Sequence, residues 1–542
     1  MAHPPPSINP RSGYSPATKT FHSLRPPVPL PPVSQPLSFT SYAVSLLPNP
    51  FPSYPALIDG STGVSLSYPD LVSQIHSLAS TLHSHLGISK GHVAFILSPS
   101  CLEIPILYLS LLSLGAIITP ANPAGTPSEL SRLIDLAGPT HFFTTSSYSS
   151  KLPLHVTPIL IDSPLFRSFL ESGSGSHLSD PIKIRQSDTA AILFSSGTTG
   201  RVKAAALPHR EFIAMTEEFR VLGPSERETT LVTAPMFHSM GFFLVLKSMA
   251  LGETTVFPGN GGPLLPTIAA VAAKYRVTQL STAPTLVVAL TQLEDTMRFE
   301  LSTLRRVYCG GAPLSQEAAE RFQSLFPAVE IIQGYGATEA GLISRMISRE
   351  ECLRRRSVGR LNSNLEAKIV DHVTGEALSV GQHGEFCVRG PTIMLGYIGD
   401  PEANAQAFDS EGWLKTGDLC YFDEDGFLYI VDRIKEMIKY KAYQVAPAEL
   451  EQVLNSSPDI LEAAVVPYPD EFAGQIPMAF VVRRPGSNLS EADVMKFVAE
   501  LVTPYKKIRR VAFVNSIPKT PSGKILKRVL ANVASSGSSS KL

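Results

Sequence analysis

From about residue 55 onward, the chain alternates helix-like apolar stretches with short runs of apolar and β-branched residues. HVAFILS at 92–98 predicts a buried strand. The longest apolar stretch, 104–119, reads ILYLSLLSL and then GAIIT, which predicts a buried helix followed by a strand. Pro105, Ser110, Ser113 and Gly115 interrupt it and Pro120 follows it, a composition that suits a protein core better than a bilayer span. TLVTAPM at 230–236 and VTQLSTAP at 277–284 predict strands that end at turns. Strands alternating with helices bury both faces of a sheet, so the pattern predicts an α/β fold with largely parallel sheets.

Near residue 385 the rhythm shortens to strands punctuated by Gly and Asp, as in GEFCVRGP and LCYFDEDGFLYIVDR. VAPAELEQVLNSSP then predicts a helix, AAVVPYP a strand, AFVVRR at 479–484 another strand and EADVMKFVAELV at 491–502 a helix. These place a small α+β domain after a junction near 433–435. The expected organisation is a Pro-rich segment at 1–50, a large α/β domain at 51–434, a small domain at 435–535 and a flexible tail at 536–542. PPPS, RPPVPLPPV and LPNP predict that the first segment is extended and lies on a surface or loose.

Composition narrows the function classes. With 46 Lys+Arg against 47 Asp+Glu the net charge is −1, so bulk electrostatics argues for neither nucleic acid nor an anionic membrane. Cys101, Cys309, Cys352, Cys387 and Cys420 are scattered without metal-ligand spacing, which predicts free thiols in a reducing compartment. The N-terminus lacks the apolar core of a secretory signal. Ser540-Lys541-Leu542, after a flexible ASSGSSS tail, spells a peroxisomal address and predicts an import receptor as partner.

The most informative stretch runs Phe194-Ser195-Ser196-Gly197-Thr198-Thr199-Gly200-Arg201-Val202-Lys203, after the apolar strand 190–193. Its glycines let backbone approach a ligand, its hydroxyls and amides can donate to phosphate oxygens, and Lys203 adds positive charge. The spacing is not that of a P-loop. Three further motifs follow in order: Gln333-Gly334-Tyr335-Gly336-Ala337-Thr338-Glu339, Thr416-Gly417-Asp418, and Val431-Asp432-Arg433-Ile434-Lys435-Glu436.

Together these motifs resemble the adenylate-forming superfamily, and within it the plant 4-coumarate–CoA ligases and their peroxisomal relatives, from about residue 35 to residue 530. The resemblance implies a large acyl-adenylating domain with a small mobile C-terminal domain. It also implies an ATP-dependent ligase that makes an acyl-AMP and then an acyl-CoA. Ser195, Ser196, Gly197, Thr198, Thr199 and Lys203 would cradle the β- and γ-phosphates, with Gln333, Gly334, Tyr335 and Gly336 completing the nucleotide site. Thr338 would contact the α-phosphate and Glu339 would carry Mg²⁺. Asp418 would accept from the ribose hydroxyls, joined by Arg433. Lys524, in Pro521-Ser522-Gly523-Lys524, would bridge the acid and the α-phosphate during adenylation. The small domain would turn about Lys435, bringing Lys439 and Gln444 to the site for thioester formation, with Lys441 and Ala442 near the CoA arm.

His238, in Pro235-Met236-Phe237-His238, matches a histidine at the carboxylate end of the acyl pocket. Met240 and Leu244 stand where hydroxycinnamate-using relatives carry Tyr and Ser, and Leu342 and Ile343 where Pro and Val are usual. Gly310, Gly311, Ala312 and Gly334 would form a wall of small residues. Losing two hydroxyls and gaining a thioether predicts a hydrophobic acid, a fatty acid or a cyclopentenone precursor of jasmonate, with 4-coumarate or cinnamate as the alternative. Ala204 and Ala442 replace glycines of the family pattern, and PGNGGP at 258–263 lacks the basic residue relatives use for a CoA phosphate. Two other readings compete: an adenylating domain that loads a carrier-protein thiol, and a nucleotide-binding sensor that does not catalyse.

Overall fold

The computed structural model describes residues 8–171, 182–195, 202–259, 265–292, 301–354, 356–441, 443–520 and 523–536. Ser196, Gly197, Thr198, Thr199, Ala442 and the Ser540-Lys541-Leu542 tripeptide lie outside them.

Two sheets of the large domain carry the predicted parallel core. In the first, Thr189–Ser195, Ile117–Ala121, Val93–Leu97, His141–Thr144 and Ile159–Leu160 run parallel, and Lys203–Pro208 and Gly396–Tyr397 extend it antiparallel. Between two of these strands lies the helix Glu103–Ser113, buried from Ile104 to Leu112. It is apolar all round because it is covered on every side, as a core helix must be. No helix among the described residues is long and apolar enough to cross a membrane.

In the second sheet Pro55–Asp59, Thr254–Phe257, Thr229–Val232, Gln279–Thr282, Arg306–Cys309 and Glu330–Ala337 are parallel. Gly341–Arg345 returns antiparallel beside Glu330–Ala337, with Gly334 opposite Arg345 and Ala337 opposite Gly341. The short-strand texture after residue 385 belongs to a third sheet, antiparallel throughout, ending in Leu414–Phe422 and Leu428–Arg433.

The 3₁₀ turn Ile434–Glu436 leads from that sheet to a smaller one built on Ile438–Tyr440, Tyr443–Val445, Ile460–Asp470, Gly474–Arg483 and Arg510–Phe513. Its faces are covered by the helices Pro447–Asn455, Glu491–Leu501 and Lys527–Ser536.

Of the two expectations for the N-terminal segment, lying on a surface or loose, the described residues follow the first, and they form a strand and a helix where an extended chain was expected. Thr20–His22 pairs with Glu366–Val370 in the third sheet, and the buried Phe21 ring stacks on Phe422 at 4.4 Å. Arg25 makes a bidentate, buried bond to Glu351 at 2.5 and 2.7 Å. Ser38 caps the helix Phe39–Leu46, and the Phe39 N–H donates to His209 Nδ1 at 3.1 Å. The prolines separate anchor points here, and the apolar residues between them supply burial that composition alone conceals.

Candidate active site

A single cavity of about 710 Å³ receives residues from both domains, from Lys524, Asp418 and Arg433 at one side to Phe219, Tyr308 and Arg345 at another. That volume suits a ligand of substantial size.

The phosphate motif sits at a hairpin. Ser195 ends one strand and Lys203 begins the next, directly opposite it in register, so residues 196–202 connect two neighbouring strands. Ser195 Oγ is buried and makes no hydrogen bond among the described residues, which suits a group kept for a ligand. Ala204, the departure next to Lys203, pairs with Phe194 inside the ladder and does not have the positive φ that favours glycine, so its side chain is accommodated.

Lys203 Nζ stands 4.5 Å from the centroid of the Tyr397 ring, and the Tyr397 hydroxyl donates to Glu339 Oε1 at 2.9 Å. Burial first, and then the neighbouring Glu339 charge, raises the Tyr397 pKa, so the phenol stays a donor. Glu339 follows the strand Glu330–Ala337 in a turn and begins no helix. Glu211, from the helix His209–Leu222, also lines the cavity; its Oε2 is buried without a partner. Burial, then the Glu339 charge, pushes its carboxyl well above the usual range.

Along Glu330–Ala337 side chains alternate between faces, as strand geometry requires. Ile332, Gly334 and Gly336 face the cavity, with Ala337, Thr338 and Glu339 beyond them, whereas Gln333 and Tyr335 are buried and do not line it. Tyr335 acts at one remove: its hydroxyl donates to Asp418 Oδ2 at 2.6 Å. Asp418 stands opposite Arg433 on adjacent strands, with Arg433 Nε 3.3 Å from Oδ1. Burial raises the Asp418 pKa, opposed by Arg433, Tyr335 and Lys524.

Lys524 lines the same cavity, so the small domain presents this lysine to the large one. Its loop is held by Thr520 N–H to Lys524 O at 2.8 Å and Lys524 N–H to Thr520 Oγ1 at 3.1 Å. Gly523 has φ +82°, and a Cβ there would come within 3.3 Å of Thr285 in the large domain, a second reason for glycine. Burial lowers the Lys524 pKa, with Arg433 acting in the same direction and Glu436, Asp418 and Glu339 against it. Lys435 also lines the cavity.

Lys439 and Lys441 are not among the lining residues. Lys439 pairs with Gln444 in the hairpin of Ile438–Tyr440 and Tyr443–Val445, and Lys439 and Lys441 are exposed. Lys441 holds φ +52°, so the left-handed position in this turn falls on Lys441.

His238 caps the helix Ser239–Ala250, its Nδ1 accepting from Met240 N–H at 3.4 Å, and it lines the cavity. Burial lowers its pKa, so the neutral ring with Nδ1 as acceptor directs an Nε2–H donor elsewhere. Met240, Leu244, Gly310, Gly311, Gly334 and Leu342 line the cavity with it. A Cβ on Gly310 would meet Gly334 O at 3.4 Å, so the two small residues face each other on the wall. Two expected acyl-pocket residues fall elsewhere. Ile343 is fully buried in the main core, being the extra residue where the pairing steps from Gly336–Leu342 to Tyr335–Ser344, and Ala312 does not line the cavity.

Sequence reading missed Tyr397, Glu211, Tyr308 and Arg345. Tyr397 lies far along the chain from the motifs it joins. Glu211, by contrast, was signalled by an acid among Phe212, Ile213 and Met215 on a helix buried on most sides.

A hairpin phosphate motif, a buried aspartate with an arginine, a turn glutamate and a lysine delivered by a second domain define an adenylate-forming enzyme. The profile of the AMP-binding enzyme family matches residues 48–398, and that of the AMP-binding enzyme C-terminal domain matches 449–524. The chain belongs to this family, in its plant 4-coumarate–CoA ligase-like branch. It is 48% identical to 4-coumarate–CoA ligase-like 9 of Arabidopsis thaliana, over 99% of this chain and 98% of the relative. It is 42% identical to peroxisomal OPC-8:0-CoA ligase 1 of the same plant, over 98% of this chain and 99% of the relative. Among solved structures, ATP-bound MatB from Rhodopseudomonas palustris superposes with a TM-score of 0.82 at 26% identity, covering 92% of this chain and 99% of that one. The o-succinylbenzoate CoA synthetase MenE of Bacillus subtilis, in complex with its acyl-adenylate, gives 0.78 at 25% identity, covering 92% and 98%.

Proposed function

We propose that this AMP-forming acid–CoA ligase activates a hydrophobic carboxylic acid, a fatty acid or a cyclopentenone jasmonate precursor, in the peroxisome, with ATP, Mg²⁺ and CoA. The observation that carries the reading is that Lys524, Asp418, Glu339 and His238 share one cavity with Met240, Leu244, Phe243 and Leu342. In the first step a carboxylate oxygen of the acid attacks the α-phosphorus of ATP and pyrophosphate leaves. Lys524 holds the two anions together, and Thr338 donates to the phosphate. In the second step the CoA thiolate attacks the acyl carbonyl, AMP leaves, and a thioester remains. The Lys439–Gln444 hairpin serves that step after the small domain turns at Lys435, with Lys441 beside the CoA arm.

The carboxylate of Glu339 suits Mg²⁺, a hard cation that takes few protein ligands and fills its shell with phosphate and water oxygens. Among the described residues no cluster of three or more His, Cys, Asp or Glu forms a closed metal cage, which agrees with such an open site. Bound there, Mg²⁺ would neutralise phosphate charge; His238 and the apolar wall orient the acid independently of it.

An AMP-release assay with CoA across fatty, jasmonate-precursor and cinnamic acids tests the substrate class. The highest kcat/KM is expected with a fatty or jasmonate-precursor acid, and a tenfold preference for a cinnamic acid would reverse the assignment. The peroxisomal address, supported by Ser540-Lys541-Leu542 and by a relative's name, is tested by import of the full chain with and without Leu542.

A further inference from the structure

The apolar pocket does not end in an apolar wall. Arg345 lines the cavity although the residue is only 2% exposed. It lies opposite Gly334, four residues before Thr338 along Glu330–Ala337. At about 3.3 Å per residue that is roughly 10–13 Å from the phosphate turn, the reach of an extended acyl group.

The guanidinium is under-used. Its one hydrogen bond among the described residues runs from Nη2 to the Glu218 carbonyl at 3.1 Å, while the Glu218 carboxylate stands 4.0 Å away. Arg345 Nε and Glu218 Oε1 are both buried and make no hydrogen bond among the described residues. Packing of the guanidinium over the Phe219 ring at 4.3 Å fixes its position. Tyr308 packs on the same ring at 5.9 Å and lines the cavity, and its hydroxyl, pushed up to about 12 chiefly by burial, stays a donor. A pocket serving only hydrocarbon gains nothing from a buried cation with unmet donors.

Building on the ligase reading, we propose that the acid carries a neutral oxygen acceptor, a carbonyl or hydroxyl, toward the end remote from its carboxylate, received by Arg345 and Tyr308. A neutral acceptor fits better than a second carboxylate. Glu218, 4.0 Å from the guanidinium, already balances its charge, so a second carboxylate would be a further buried anion with no cation left to pair it.

The test measures kcat/KM for acid-dependent pyrophosphate release. It compares straight-chain acids, length-matched acids with a keto or hydroxyl group near the methyl end, and dicarboxylic acids. The wild-type enzyme should favour the keto or hydroxy acids about ten- to a hundredfold over plain ones, the range of one hydrogen bond to a charged donor. In an Arg345→Met, Glu218→Gln double variant, which leaves no lone buried charge, that ratio should fall toward one, and Tyr308→Phe should lower it less. Should the double variant not fold, the wild-type ratio and Tyr308→Phe decide. Equal or better use of plain acids, preference for dicarboxylic acids, or a ratio unchanged in the variants overturns the assignment while the ligase reading stands. Absence of pyrophosphate release with every acid overturns both.

Discussion

The ammonium of Lys203 lies 4.5 Å from the centre of the Tyr397 ring, and the hydroxyl of that tyrosine binds Glu339 at 2.9 Å. One side chain therefore joins the proposed phosphate lysine to the proposed metal carboxylate. The strand Gly396–Tyr397 pairs with Lys203–Pro208, so the link is built into the sheet.

Removing the hydroxyl separates its two jobs. Tyr397→Phe keeps the ring beneath Lys203 and loses the bond to Glu339. It should raise the ATP KM and lower kcat/KM for adenylation about tenfold, the weight of one hydrogen bond to a charged group. Tyr397→Ala loses the cation–π contact as well and should fall several-fold further. Steady-state pyrophosphate release with varied ATP and Mg²⁺ reads both, and wild-type ATP dependence in Tyr397→Phe would contradict the link.

On the proposed mechanism Lys524 acts in one half-reaction only. Lys524→Ala should cut acid-dependent pyrophosphate release about 10²- to 10³-fold, as loss of a transition-state charge partner does. Thioester formation from supplied acyl-AMP and CoA should persist within a few-fold of wild type. Equal losses in both half-reactions would show that the lysine only supports the fold.

The N-terminal segment is a structural part of the large domain. Arg25→Met leaves the Glu351 carboxylate buried beside Arg360, 3.7 Å away, without its main partner. Loss of one member of a buried pair costs about 3–5 kcal/mol, so the urea midpoint should fall accordingly. An unchanged midpoint would mean that the segment contributes no stability.

Stability also depends on pH through His209. Burial pushes this histidine down to about 4, against the attraction of Asp188, and its Nε2 has no hydrogen-bond partner among the described residues. Between an unfolded value near 6.5 and about 4 the unfolded chain binds a proton that the folded chain refuses, so stability falls as pH drops through that window. The loss approaches about 3 kcal/mol below it. His209→Gln should flatten the urea midpoint against pH there by about one proton, and an identical slope in wild type and variant would exclude this role.

Much of this fold is written in local pattern. HVAFILS, the apolar helix after it and the short strands past residue 385 follow from alternation and turn residues, because each buries its own apolar face. In the N-terminal segment proline content points to a chain lying on a surface but hides anchors such as Phe21 and Arg25, whose partners Phe422 and Glu351 lie hundreds of residues away. The same separation hid Tyr397 and Arg345. Lys203, Glu339, Asp418 and Lys524 were legible through motif resemblance, whereas placing Gln333 and Tyr335 required the strand's two-residue alternation, which sends Gly334 and Gly336 to the cavity instead.

The most direct test incubates the full-length protein with ATP, Mg²⁺ and a hydrophobic acid panel, without CoA, and follows acyl-AMP by mass spectrometry beside pyrophosphate. The predicted result is stoichiometric acyl-AMP and pyrophosphate with at least one acid, followed by thioester and AMP when CoA is added. Nucleotide binding with no acyl-AMP from any acid would contradict the account.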